Sequence, residues 1–135
     1  KWFDQGYEVV IGTRRTEGAQ IAQNQSFLRE KMGAIFTLLS RWLLGLSVSD
    51  FTCGFKCFSM NAARSVFSLQ RINDWSFDAE ILHISKRQGF RIKEVPVQWK
   101  NAEDSKVQLI RDSIQSLLGL LRIRLNSLQG RYDRS

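Results

Sequence analysis

Between Phe27 and Leu46, apolar residues recur at Leu28, Met32, Ile35, Leu39, Trp42 or Leu43, and Leu46. Steps of three and four keep them on one side of a 3.6-residue period and predict an amphipathic helix, with Gly45 at its fraying end. A second stripe, Val107, Ile110, Ile114, Leu117, Leu121, Leu125 and Leu128, predicts a last helix over Val107 to Leu128. Two shorter helices are expected between them. One follows Asn61 as N-cap and carries Ala62, Ala63, Val66 and Phe67. The other runs from Phe77 to Gln88 and stops at Gly89, a residue suited to the left-handed turn after a helix.

The strand signals are of another kind. Glu8-Val9-Val10-Ile11-Gly12-Thr13 is a short apolar run ending in a turn, as in a buried strand of a parallel sheet. The polar segment Arg14 to Ser26 reads as a mobile loop. Gly54 to Ser59 alternates, with Phe55 and Cys57 on one face and Lys56 and Phe58 on the other. Phe90 to Trp99 places Val95, Val97 and Trp99 together, and Pro96, the only proline, assigns it to a sheet edge or a strand end. Strands alternating with helices make the fold class α/β. We find no internal repeat and no low-complexity tract.

Composition narrows the class further. The chain has 135 residues, 43% apolar and 24% charged, enough for one folded domain with a core. A net charge of +7 points to an anionic partner, whether nucleic acid, a phosphorylated ligand or an acidic membrane surface. More than half of that excess falls in the last thirty residues, which hold six basic and two acidic side chains. Cys53, Cys57 and the single His83 cannot complete a four-ligand zinc site without carboxylates, so two thiols and a core histidine are expected. No stretch approaches the roughly 20 apolar residues that cross a bilayer. The tryptophans Trp2, Trp42 and Trp99 read as packing or interfacial anchors.

Candidate chemistry is concentrated in two blocks, Ser49-Asp50-Phe51-Thr52-Cys53-Gly54-Phe55-Lys56 and Trp75-Ser76-Phe77-Asp78-Ala79-Glu80. Each forces carboxylates beside aromatics, and carboxylates resist burial unless paired or hydrogen-bonded. Asp50 is either aimed into a cleft or a turn aspartate holding backbone amides. Lys56 is either a phosphate ligand or a solvated strand lysine. Asp78 and Glu80 diverge by roughly 200° on a helix, so they do not form an acid–base pair on one face. They would suit the positive end of a helix that Ser76 caps, or line a site. Arg14 closes a turn at the C-terminal end of a strand, the edge where open α/β sheets bind ligands. Arg29 reads by itself as a solvated helix charge. Ser105-Lys106 opens the last helix, where a serine caps and a lysine beside free amides binds phosphate.

Taken in order, Val9-Val10-Ile11-Gly12-Thr13-Arg14, Ser49-Asp50 with Cys53-Gly54-Phe55-Lys56, Trp75 to Glu80, Glu94-Val95-Pro96-Val97 and Ser105-Lys106 resemble the family 2 glycosyltransferases. The branch they resemble is that of the polyprenyl- or dolichyl-phosphate sugar synthases, particularly the glucosyl type. The resemblance runs nearly end to end, through Leu121-Arg122-Ile123-Arg124-Leu125-Asn126. It implies a GT-A, Rossmann-like three-layer α/β domain that inverts configuration as it moves a hexose from a nucleotide sugar to a lipid phosphate. The donor it implies is UDP-glucose, with GDP-mannose as the alternative, and the location it implies is the cytoplasmic face of a membrane. It also implies Mg2+ or Mn2+. The family's Asp-x-Asp motif is absent from these 135 residues, so the expectation is the C-terminal portion of a larger catalytic domain, with the metal ligands outside it and the fragment inactive alone.

The resemblance also assigns roles: Asp50, Asp78 and Glu80 in the catalytic region, Arg14, Arg29 and Lys56 toward the acceptor phosphate, and Ser105 and Lys106 toward the donor diphosphate. The long helices would partly pack and partly touch lipid, with Arg41, Arg111, Arg122 and Arg124 near anionic headgroups. A non-catalytic basic module is the competing class. Nucleic acid is disfavoured, because no recognition motif for it is present. A hydroxyl-acceptor polysaccharide synthase is disfavoured too, because Gln-x-x-Arg-Trp is missing.

Overall fold

A computed structural model describes residues 1–21, 27–99 and 109–133. After a short 3-10 turn at Phe3–Gln5, the chain forms β1 (Val9–Thr13), β2 (Gln20–Ile21), α1 (Phe27–Leu44), β3 (Lys56–Phe58), α2 (Met60–Leu69), α3 (Phe77–Arg87), β4 (Ile92–Pro96), β5 (Gln98–Trp99) and α4 (Leu109–Leu128). The fold is mixed α/β. Its main sheet has the order β3-β1-β4, with β1 antiparallel to β3 and parallel to β4. All five β1 residues are buried, as a central strand requires.

Val9 and Ile11 join one hydrophobic core with Val48, Phe51, Val66, Leu82, Leu120 and Ile123, among others. Each such side chain contributes about 1.5–3 kcal/mol on full burial. Two close approaches demand glycine. A Cβ at Gly12 would lie 2.6 Å from Val97 and 2.9 Å from Cys53, and one at Gly119 only 1.6 Å from the Ser76 hydroxyl. The first lets the loop before β3 lie over β1, and the second lets α4 press onto the start of α3.

Several expected boundaries move. The segment read as a loop after Thr13 contains β2, a two-residue strand paired in parallel with β5, too short to leave a periodic signal. The strand expected over Phe90 to Trp99 is two strands, and Pro96 ends the first, at the sheet edge. The N-cap of α2 is Ser59 rather than Asn61. Its extended backbone ends β3 while its hydroxyl accepts from the Ala62 amide at 3.2 Å. Ser76 precedes α3 but makes no capping bond; Asp74 accepts from its amide instead, at 2.8 Å. Gly45 and Gly89 both take positive φ at the ends of α1 and α3. Residues 107 and 108 of the last predicted helix lie outside the described residues.

Both cysteines are free, Cys53 buried and Cys57 exposed. His83 is enclosed, its Nδ1 3.3 Å from the Leu44 carbonyl and its Nε2 2.9 Å from the Ser127 hydroxyl. The long helices pack on each other yet leave apolar residues in water, Leu38 and Trp42 on α1 and Ile114, Leu125 and Leu128 on α4. Among the described residues, no helix is long and apolar enough to cross a membrane.

Candidate functional site

The C-terminal end of β1 is the meeting point of three sequence blocks. Registered partners share a sheet face, so Lys56 and Glu94 lie on the side of Ile11, with Thr13 two residues further along that face. The loop between α1 and β3 folds across this edge. Phe51 anchors it by burying its ring in the core, while the flanking residues Asp50 and Thr52 both reach Arg14.

Asp50 and Arg14 form a forked pair. Arg14 Nε donates to Oδ2 at 2.7 Å and Nη2 to Oδ1 at 2.8 Å, and the Arg14 amide adds a third bond to Oδ2 at 3.1 Å. Nη2 also donates to the Thr52 hydroxyl at 2.9 Å. Two parallel charge-assisted bonds fix the plane of the guanidinium as well as its position. Burial works against the charge of Asp50, but the Arg14 hydrogen bonds and charge outweigh it and hold the carboxyl below its ordinary range. The Asp50 side chain is 2% exposed and that of Arg14 19%, so the cation is the member of the pair that meets solvent.

Beside this pair runs a hydroxyl relay. The Arg15 amide donates to Thr13 Oγ1 at 3.1 Å, and Thr13 and Ser49 hydroxyls lie 2.8 Å apart. Ser49 then donates from its amide and its hydroxyl to one oxygen of Glu94, at 2.8 and 2.6 Å. Since the Ser49 proton goes to Glu94, Thr13 is the donor to Ser49.

On the other flank Lys56 is enclosed, 6% exposed, with Asp78 at 2.7 Å. Its ammonium also donates to the Phe51 carbonyl at 3.0 Å and the Cys53 carbonyl at 2.5 Å.

The expected site residues therefore separate. Asp50 and Arg14 come together, and so do Lys56 and Asp78. Glu80 points elsewhere, as its angular offset from Asp78 on the helix requires. It is fully buried and accepts from the amides of Arg71 and Ile72, at 3.1 and 2.9 Å, and from the Tyr132 hydroxyl at 2.6 Å. Arg29 belongs to the first turn of α1. Ser105 and Lys106 lie outside the described residues. Thr13, Ser49, Thr52 and Glu94 gather at the site without having been assigned a role. The available signal was a lone carboxylate in β4 beside the strand-ending proline. Among the described residues, no three His, Cys, Asp or Glu side chains gather to hold a metal ion.

No family model matches the chain, and no solved structure matches it. Curated relatives do. It is 32% identical over 123 residues to a dolichyl-phosphate beta-glucosyltransferase of Dictyostelium discoideum, covering 90% of this chain and 38% of that protein. The human protein of that name is 34% identical over 125 residues, 92% of this chain and 38% of the relative. The one from Saccharomyces cerevisiae is 37% identical over 86 residues, 64% of this chain and 26% of the relative. The chain thus spans well under half the length of the relatives it matches. These similarities support a dolichyl-phosphate glucosyltransferase-like family of family 2 glycosyltransferases for the chain.

Proposed function

We propose that the chain is the acceptor-side portion of an inverting GT-A glucosyltransferase. The whole enzyme would move glucose from UDP-glucose to dolichyl or another polyprenyl phosphate at the cytoplasmic face of a membrane. The observation that carries the reading is the Arg14–Asp50 fork, built from two distant motifs at the edge of the sheet where α/β folds bind ligands. The names of the relatives supply the sugar and the lipid.

A lipid phosphate is already anionic at neutral pH, so the acceptor needs positioning more than deprotonation. Arg14, its plane set by Asp50 and Thr52, would present its solvent-facing side to the phosphate. Asp50 would keep the cation oriented, and its low-lying carboxyl stays charged while doing so. Arg29 is assigned to the same phosphate, and Ser105 and Lys106 to the donor diphosphate, on the resemblance. The Mg2+ or Mn2+ of the whole enzyme is assigned, on the resemblance, mostly to ligands outside this chain, and the roles of Arg14 and Asp50 do not pass through it. Exposed apolar residues on α1 and α4, with Arg41, Arg111 and Arg124 in water nearby in sequence, suit contact with an anionic lipid surface.

The test is transfer by the whole protein from labelled UDP-glucose and, separately, GDP-mannose to dolichyl phosphate. Transfer of glucose alone, abolished by Arg14→Gln, is the expected result. Transfer from GDP-mannose alone would reassign the donor. A folded protein inert with both would favour a non-catalytic membrane module.

A further inference from the structure

Resting on that acceptor-site reading, we propose that Lys56 is a positioning residue. Its buried ammonium, locked by Asp78, holds the loop that carries Asp50, and it does not bind substrate phosphate. An ammonium has three N–H donors, and three acceptors meet this one: the Phe51 carbonyl, the Cys53 carbonyl and Asp78 Oδ1. Reaching a phosphate would mean abandoning all three inside the protein, leaving two carbonyls and a carboxylate unmatched.

The spacing of the two carbonyls explains what the contact does. They belong to the residues on either side of Thr52, so Lys56 fixes the Phe51–Thr52 peptide plane that enters it and the Cys53–Gly54 plane one residue beyond it. Thr52 and Asp50, one residue before the first of those planes, are the two side chains that grip the Arg14 guanidinium. From the opposite direction, Glu94 pins Ser49. Asp50 therefore sits between two polar anchorages, one from β4 and one from β3 with α3. The site is mounted on the sheet through its loop, although Lys56 itself faces inward at 6% exposure.

The experiment uses the whole protein with Lys56→Met and Asp78→Asn, each alone and combined with Asp50→Asn. Positioning predicts that Lys56→Met lowers kcat by about 10- to 100-fold, the scale of a small misplacement of reacting groups. The acceptor KM should stay within about threefold, since the ammonium contributes no ground-state binding. In the Asp50→Asn background the further loss should shrink to about threefold or less, because the two act as a unit. A phosphate ligand would instead raise the acceptor KM at least tenfold with kcat kept, which overturns the proposal. Full additivity with Asp50→Asn overturns it as well.

Hydrogen exchange of the 49–56 segment separates this question from the functional reading. Faster exchange there in Lys56→Met, with the core unchanged, supports the mount even if the wild type transfers no sugar. Unchanged exchange rejects it. Should Lys56→Met fail to fold, Asp78→Asn leaves the carbonyl contacts in place. It should give the same signs at smaller size, and an absence of any effect there counts against the proposal.

Discussion

Asp50 and Glu80 are both buried carboxylates, and their surroundings differ in one decisive respect. Asp50 faces a guanidinium that is itself 19% exposed, so one member of the pair meets solvent. Glu80 is closed in by two backbone amides and a phenol. Its partners tie the segment before α3 and the turn after α4 onto the helix. Around it, Arg87 forks onto Asp133 at 2.7 and 3.0 Å, and Gln88 donates to the Tyr132 carbonyl at 2.6 Å.

The comparison is broken or sharpened by substitution. The largest effect is expected from Asp50→Asn, which keeps the shape but loses the charge that orients Arg14. Transfer by the whole protein should fall by about 100-fold, measured as initial rate, a scale typical of losing one oriented electrostatic group. Glu80→Ala should act on stability instead. It strands two amides and a hydroxyl in the interior, a loss of about 3 kcal/mol in denaturant unfolding, with the rate per folded molecule preserved. If that rate fell with Glu80, the division between the two carboxylates would collapse. Tyr132→Phe removes one bond to the same carboxylate and should cost about 2 kcal/mol.

The smallest effect is one of pH. Burial, only partly offset by the Leu44 carbonyl, and the charges of Arg87, Arg124 and Lys86 hold His83 below its ordinary pKa. The unfolded chain therefore binds a proton before the folded one does. Stability from this group is complete above about pH 6.5 and is lost as pH falls toward the lower folded value. His83→Gln should flatten that part of the stability–pH curve.

Much of this was legible in the sequence, for reasons that differ by element. The helices announced themselves because their stripes are long, and α1 and α3 end at glycines that take positive φ. The core strand did so because a run such as Val9-Val10-Ile11 has nowhere to go but inside. Arg14 and Asp50 were each marked by position, but their bidentate contact joins residues far apart in the chain, and no local pattern reports it. The enclosure of Lys56 was hidden for the same cause. A lysine next to phenylalanines on a short strand looks solvated until the loop folds back over it. Asp78 and Glu80 part company because two residues of helix turn one toward Lys56 and the other toward Tyr132. β2 and β5 owe their existence to each other.

The relay from Arg15 through Thr13 and Ser49 to Glu94 runs in a single direction, each hydroxyl passing its one proton onward. Reversing any link would leave a hydroxyl with two protons aimed at it or none. The proton order of Thr13 and Ser49 is therefore set by Glu94 at the end of the chain of bonds. Exchange of Ser49 for a residue without a hydroxyl would leave Glu94 with the amide bond alone and Thr13 without its acceptor. Three side chains distant in the sequence thereby share one chain of hydrogen bonds beside the Arg14–Asp50 pair.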